Sequence, residues 1–184
     1  MKTCKNGLKI WIKPNFSLIL RRVNRIVMNF EIEEVKEFSG DAANIYTVTI
    51  EGEDINLLEQ FFDENAEYET ELNEIMNKLY VMGQQTGCRW DFFKHNEGSL
   101  GDGVAVLKAG HLRLYCLYVD STIVCFGSGG YKSPEIRAYQ EDAELNKKVE
   151  QMKAIAKRIN KAIVDKDIEI KDGKLNINFW DYEG

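Results

Sequence analysis

The chain has 184 residues with 44% hydrophobic and 11% aromatic side chains, enough for one domain with a real core. Two prolines, four cysteines and the lack of any apolar run near 18 residues exclude a Pro-rich linker protein, a disulfide scaffold and a helical membrane span. The net charge of −6 is unevenly spread. Lys2, Lys5, Lys9, Lys13, Arg21, Arg22 and Arg25 stand in residues 1–27 without one acid, while residues 28–184 carry 17 basic and 30 acidic side chains.

That asymmetry marks residues 1–27 as a basic extension on an acidic domain. One reading of it is a nucleic-acid or membrane-surface arm; the other, favoured because the composition changes at Met28, is an extension not native to the domain. Pro14, Asn15 and the arginines at 21–25 interrupt any apolar core, so a secretory signal is disfavoured and a cytoplasmic location is expected. The domain is then residues 28–184.

Residues 29–38 (NFEIEEVKEF) alternate partly and predict a strand, closed by the turn Ser39-Gly40-Asp41. Residues 44–51 (NIYTVTIE) alternate more strictly and predict a second strand. Asp54 is placed to cap a short helix over 55–63. A longer helix over 67–85 follows from Tyr68, Leu72, Ile75, Met76, Leu79 and Met82 at the 3.6-residue period, with Gly87 ending it. Residues 89–93 (RWDFF) predict a short strand. Three strand-like runs come next, at 104–108, 112–119 and 122–127. Ala109-Gly110 and Asp120-Ser121 are too short to hold crossover helices, so these runs form an antiparallel meander. A helix from about 140 to 165 buries Leu145, Val149, Met152, Ile155, Ile159 and Ile163, and leaves Lys147, Lys148, Lys153, Lys157, Arg158 and Lys161 mostly off that stripe. Residues 168–179 form a hairpin around Asp172-Gly173. The segments 29–54 and 166–184 are expected to pair with each other and extend the sheet. The fold class is α+β: a curved antiparallel sheet with helices largely on one face, two before the meander and one long helix after it.

Gly127-Ser128-Gly129-Gly130 precedes Lys132-Ser133, yet the glycine spacing of a phosphate loop is not met at Phe126 and Tyr131. Glycines that let a strand bend or bulge are the better reading. His95 and His111 have no second ligand at metal spacing, so neither a metal nor another cofactor is expected. A two-residue turn at Asp120-Ser121 would set Cys116 directly opposite Cys125, more in keeping with small core residues than a disulfide. Arg113 lies mid-strand beside Tyr115 and Leu117, and Lys132, Arg137 and Tyr139 follow the last meander strand. Gathered at one end of the sheet, they suit RNA: cations for phosphate, a phenol for a base or a proton.

The block from Tyr68 to about Ile159 resembles the RelE/ParE/HigB superfamily of bacterial toxins, most closely its HigB-like and phage-related branches. The runs Gly103-Val104-Ala105-Val106-Leu107 through His111-Leu112-Arg113-Leu114-Tyr115, and Ile123-Val124-Cys125-Phe126 followed by Gly130-Tyr131-Lys132-Ser133, carry the likeness. The resemblance implies a RelE-like fold, a toxin–antitoxin setting and, in active members, metal-independent cleavage of mRNA on the ribosome. By position, Arg113 would hold the phosphate, Lys132 would neutralise developing charge and Tyr139 would stack or move a proton. Lys108 and Arg137 would contact RNA. Where the RelE branch carries strand lysines, this chain has Val104 and Val106, with only Lys108 nearby. Two readings stand: an endoribonuclease toxin, or a catalytically silent RelE-like module that binds a protein partner such as a helix-turn-helix antitoxin.

Overall fold

A computed structural model describes residues 29–94, 101 and 103–177. The basic segment 1–27, Met28, His95 and the last positions of the expected hairpin, 178–179, lie outside the described residues.

The order of elements is β1 (Phe30–Glu34), β2 (Asn44–Ile50), α1 (Leu57–Glu64), α2 (Glu69–Val81), β3 (Phe93–Lys94), β4 (Val104–Ala109), β5 (Leu112–Asp120), β6 (Ile123–Tyr131), α3 (Ala143–Val164), β7 (Ile168–Lys171) and β8 (Lys174–Ile177). Six strands make one sheet in the order β1-β2-β6-β5-β4-β3. The meander β4–β5–β6 is antiparallel, as its short turns require. The sheet as a whole is mixed, which corrects the expected all-antiparallel arrangement. β2 runs parallel to β6, with Tyr46 opposite Cys125. A parallel pair needs a long crossover, and α1, α2 and the meander supply it.

Helices cover both faces, not one. α1 and α2 press Leu58, Phe61, Leu72, Ile75 and Leu79 onto one face, against Ile45, Leu107, Leu114 and Phe126. α3 presses Leu145, Val149, Met152, Ile155 and Ile159 onto the other, against Val48, Val106, Tyr115 and Cys125. The β4–β6 runs are apolar on successive residues for this reason: a strand buried on both sides has no polar alternation to keep. β7 and β8 form a separate two-stranded sheet, so among the described residues the expected pairing of segment 166–184 with 29–54 does not occur. The hairpin instead sits against the body by side-chain bonds. Asn44 Nδ2 donates to Gly173 O at 2.8 Å and Leu175 N donates to Tyr46 Oη at 3.1 Å. Its turn holds Asp172 at φ 52° and Gly173 at φ 71°, the left-handed pair a two-residue hairpin demands.

Local differences have local causes. Asn56, not Asp54, caps α1, because Asn56-x-x-Glu59 closes a reciprocal capping box. α2 stops at Val81 and continues as one π turn over Met82–Thr86 before Gly87 leaves the helix at φ 72°. Residues 90–92 are a 3-10 turn, and only Phe93–Lys94 pair as strand. β1 ends at Glu34, four residues early. β6 runs on through the glycines to Tyr131.

Candidate functional site

The β5–β6 ladder slips twice and returns. Asp120 faces Ile123, yet Tyr118 faces Val124, so Val119 is an extra residue on β5. Cys116 faces Phe126, yet Leu114 faces Gly129, so β6 carries the next extra residue at Gly127-Ser128. Two bulges of opposite sense thus restore register. The first corrects the cysteine expectation. Cys116 meets Phe126 and Leu117 meets Cys125, so the two thiols lie on opposite faces of the sheet. Cys88, Cys116 and Cys125 are all buried. Burial pushes the Cys88 and Cys125 thiols up to about 12, and raises Cys116 well above its ordinary value. None has the thiolate character of a nucleophile. The second bulge accounts for the glycine run. A Cβ on Gly129 would lie 1.8 Å from Arg113 O, so only glycine lets β6 cross there.

Residues facing each other directly in a ladder project to the same side. Arg113 pairs with Lys108 on β4 and with Gly130 on β6. A Cβ on Gly130 would meet Leu145 and Lys148 of α3. Val106 and Tyr115 belong to the α3-side core, while Leu107, Leu112, Leu114 and the partly buried Tyr131 belong to the other. Alternation therefore puts Lys108, Arg113 and Lys132 on the α3 side at one end of the sheet. Tyr139, in the 3-10 turn before α3, packs its ring edge-on against Tyr115 at 6.4 Å. Four of the five predicted residues share that side, and the backbone of the fifth, Arg137, closes over it.

The polar ends of Arg113, Lys132 and Tyr139 point inward. Arg113 is 7% exposed and its Nη1 donates to Leu112 O at 3.1 Å and Gly110 O at 3.2 Å. Lys132 is 9% exposed and its Nζ donates to Arg137 O at 2.8 Å. Tyr139 is 1% exposed and its phenol oxygen accepts from Lys153 Nζ at 2.9 Å. Lys78 Nζ reaches Lys108 O at 2.6 Å, and Lys148 Nζ reaches Gly129 O at 2.7 Å while pairing with Glu64. Cations thus engage backbone carbonyls in and beside the ends of β4, β5 and β6. Arg137 has its side chain outside, with its backbone N–H donating to Glu141 Oε2 at 3.2 Å.

Lys153 and Lys148 belong to this site although their positions off the apolar stripe read as plain solvated surface. Lys153's ammonium is held above its ordinary range, first by the bond to Tyr139 and then by Glu150. The available signal was position: each lies one residue from a buried α3 residue, Met152 and Val149. Beside the site a cleft of about 140 Å³ opens between Glu64, Asn65, Tyr131, Asp142 and Lys148. Its Asp142 is already the N-cap of α3, accepting from Glu144 N and Leu145 N at 3.0 Å. Among the described residues no group of three or more His, Cys, Asp or Glu is placed to hold a metal.

Comparison with protein-family models, curated proteins and solved structures finds no match to this chain.

Proposed function

We propose that the chain is a RelE/HigB-like component of a cytoplasmic toxin–antitoxin pair and works as a module that holds a protein partner, a helix-turn-helix regulator. Within the resembling block, a helix, the antiparallel meander and a trailing helix follow in order, which supports the kinship. The runs that carry the likeness fall on β4, β5 and β6.

One observation favours holding over cutting. Arg113, Lys132 and Tyr139 are each more than nine-tenths buried, with polar ends given to backbone carbonyls or to Lys153. Metal-free RNA cleavage needs cations within reach of the phosphate and a proton carrier beside the attacking hydroxyl. Groups committed to the protein's own carbonyls do not offer that reach.

The nuclease reading keeps a second place because Lys108, Arg113, Lys132 and Tyr139 do share one side of the sheet end. Under it, Arg113, Lys132 and Tyr139 would have to leave their internal partners. Arg113 then holds the scissile phosphate, Lys132 neutralises charge and Tyr139 stacks or moves a proton. Lys108 and Arg137 would steady mRNA on the ribosome.

Induced expression with a translation readout separates the two. The module predicts unchanged protein synthesis, and co-purification at fixed stoichiometry with the product of a neighbouring short helix-turn-helix gene. Arrest that vanishes in Arg113→Ala, with the melting temperature of the variant retained, overturns the module and establishes the nuclease.

A further inference from the structure

Charge is sorted between the two faces of the molecule. Residues 29–77, which build β1, β2, α1 and most of α2, hold fifteen carboxylates and one cation, Lys36. Asp63, Glu67 and Glu69 stand exposed on the α1–α2 layer, beside Glu64 and Glu74, which pair with Lys148 and Lys78. The outward face of α3 is net positive, with Glu144 and Glu150 as its exposed acids. Lys147, Gln151, Ala154, Arg158 and Lys161 follow one another at steps of four and three, all exposed, with Lys157 alongside. That spacing is one line on a helix, about 21 Å long from Lys147 to Lys161. Lys147, Lys157 and Arg158 make no ion pair with another described residue.

Lys148, on the flank of α3, pairs with Glu64 of α1, but the line from Lys147 to Lys161 and the α1–α2 layer lie on opposite sides of the sheet, so that line leaves the layer's other carboxylates unneutralised within one copy. A second copy can neutralise them. We propose that the chain associates with itself head to tail, the α3 ridge of one copy lying on the α1–α2 layer of the next. The fit is one of sign and length: α2, with 13 residues, runs about 20 Å beside the roughly 21 Å ridge. Small or neutral Ala154 and Gln151 at the middle of the line let a facing helix come close. The ridge carries no large apolar side chain, which separates it from an amphipathic membrane-surface helix. The contact is heterologous, so repetition builds an open column and not a closed dimer. One helix face is narrower than the roughly 800 Å² per partner of stable complexes, so the association is weak.

Salt gives it a signature. Whole-molecule repulsion between copies of net charge −6 acts over long distances, whereas facing side chains act within a few ångströms. At about 0.1 M salt, with a screening length of about 10 Å, the local attraction survives; at about 1 M, near 3 Å, it does not.

Sedimentation of the full chain up to about 1 mM decides it. The weight-average mass is expected to rise with concentration at about 0.1 M KCl and to return to the monomer value at about 1 M. The triple variant Lys147→Glu/Lys157→Glu/Arg158→Glu should be monomeric, and so should Asp63→Lys/Glu67→Lys. Mixed together, the two variants should associate again, since each then presents the sign the other lacks. Melting temperatures check that both are folded. Wild-type protein that stays monomeric at every salt, association that survives either variant, or a mixture that fails to reassociate, overturns the proposal. So does a wild-type monomer whose ridge instead binds a labelled oligonucleotide that the triple variant releases.

Discussion

Gly129 has no room for a single added carbon. Its Cβ position is 1.8 Å from Arg113 O, and that oxygen belongs to a central strand with no freedom to withdraw. Gly129→Ala is therefore expected to lose about 3 kcal/mol or more, read from its urea midpoint, well beyond the usual cost of a strand substitution. The glycine run was legible as a bend; its cause was not, because the obstacle comes from residue 113 and not from neighbours in sequence. The thiols make a second prediction. Burial holds Cys88 and Cys125 near 12 in the folded chain, against about 8.5 when unfolded. Above about pH 9 the unfolded state loses protons that the folded state keeps, so stability falls as pH rises toward 12. Unfolding midpoints between pH 8 and pH 10 should drop, and less steeply in Cys125→Ala. Arg113 was found from its mid-strand position, but its inward engagement was hidden. Nothing in a sequence says that a cation will turn back onto the carbonyls of its own turn and strand.

Helix ends carry predictions of their own. The box of Asn56 and Glu59 supports the start of α1, with Glu59 N donating to Asn56 Oδ1 at 2.9 Å. Asn56→Ala should cost about 1 kcal/mol, and Asp142→Ala at the start of α3 about the same, measured by chemical unfolding. The capping box was readable by its spacing, and Asp54 competed for it only because it comes first. The meander, the long helix and the Asp-Gly hairpin were legible because turn residues and periods agree there. The 89–93 stretch was not: its aromatics satisfy strand preference, yet Trp90 is 57% exposed and the backbone turns through a 3-10 step. Among the described residues the β7–β8 hairpin has no third strand, and most of its residues face solvent. Its backbone amides should exchange with deuterium well ahead of those in β5, whose flanking strands cover both of its edges.

At the scale of the whole molecule, two cores sit back to back on one sheet, and each should be felt separately. Phe61→Ala on one side is expected to cost about 3–5 kcal/mol and Ile159→Ala on the other about 2–5 kcal/mol. Their effects should nearly add in the double variant, since the sheet separates them. Two-sided burial was in principle readable from the unbroken apolar runs at 104–107 and 114–119. Helices largely on one face were expected instead, because the runs mark strands of a meander and a meander does not itself say what covers each side. The parallel β2–β6 pair was beyond reach, since period and propensity fix what an element is and not which neighbour it takes.

That pair has a kinetic consequence. Thr47 Oγ1 bonds Phe126 O across 79 positions of chain, and β2 has no place in the sheet until β6 exists. During synthesis the first strands and both early helices emerge with their apolar sides uncovered and wait for the meander to be completed. Closure over so long a loop makes docking of β2 a late, slow event. Until then the nascent N-terminal half is the part of this protein most exposed to proteases and to chaperones.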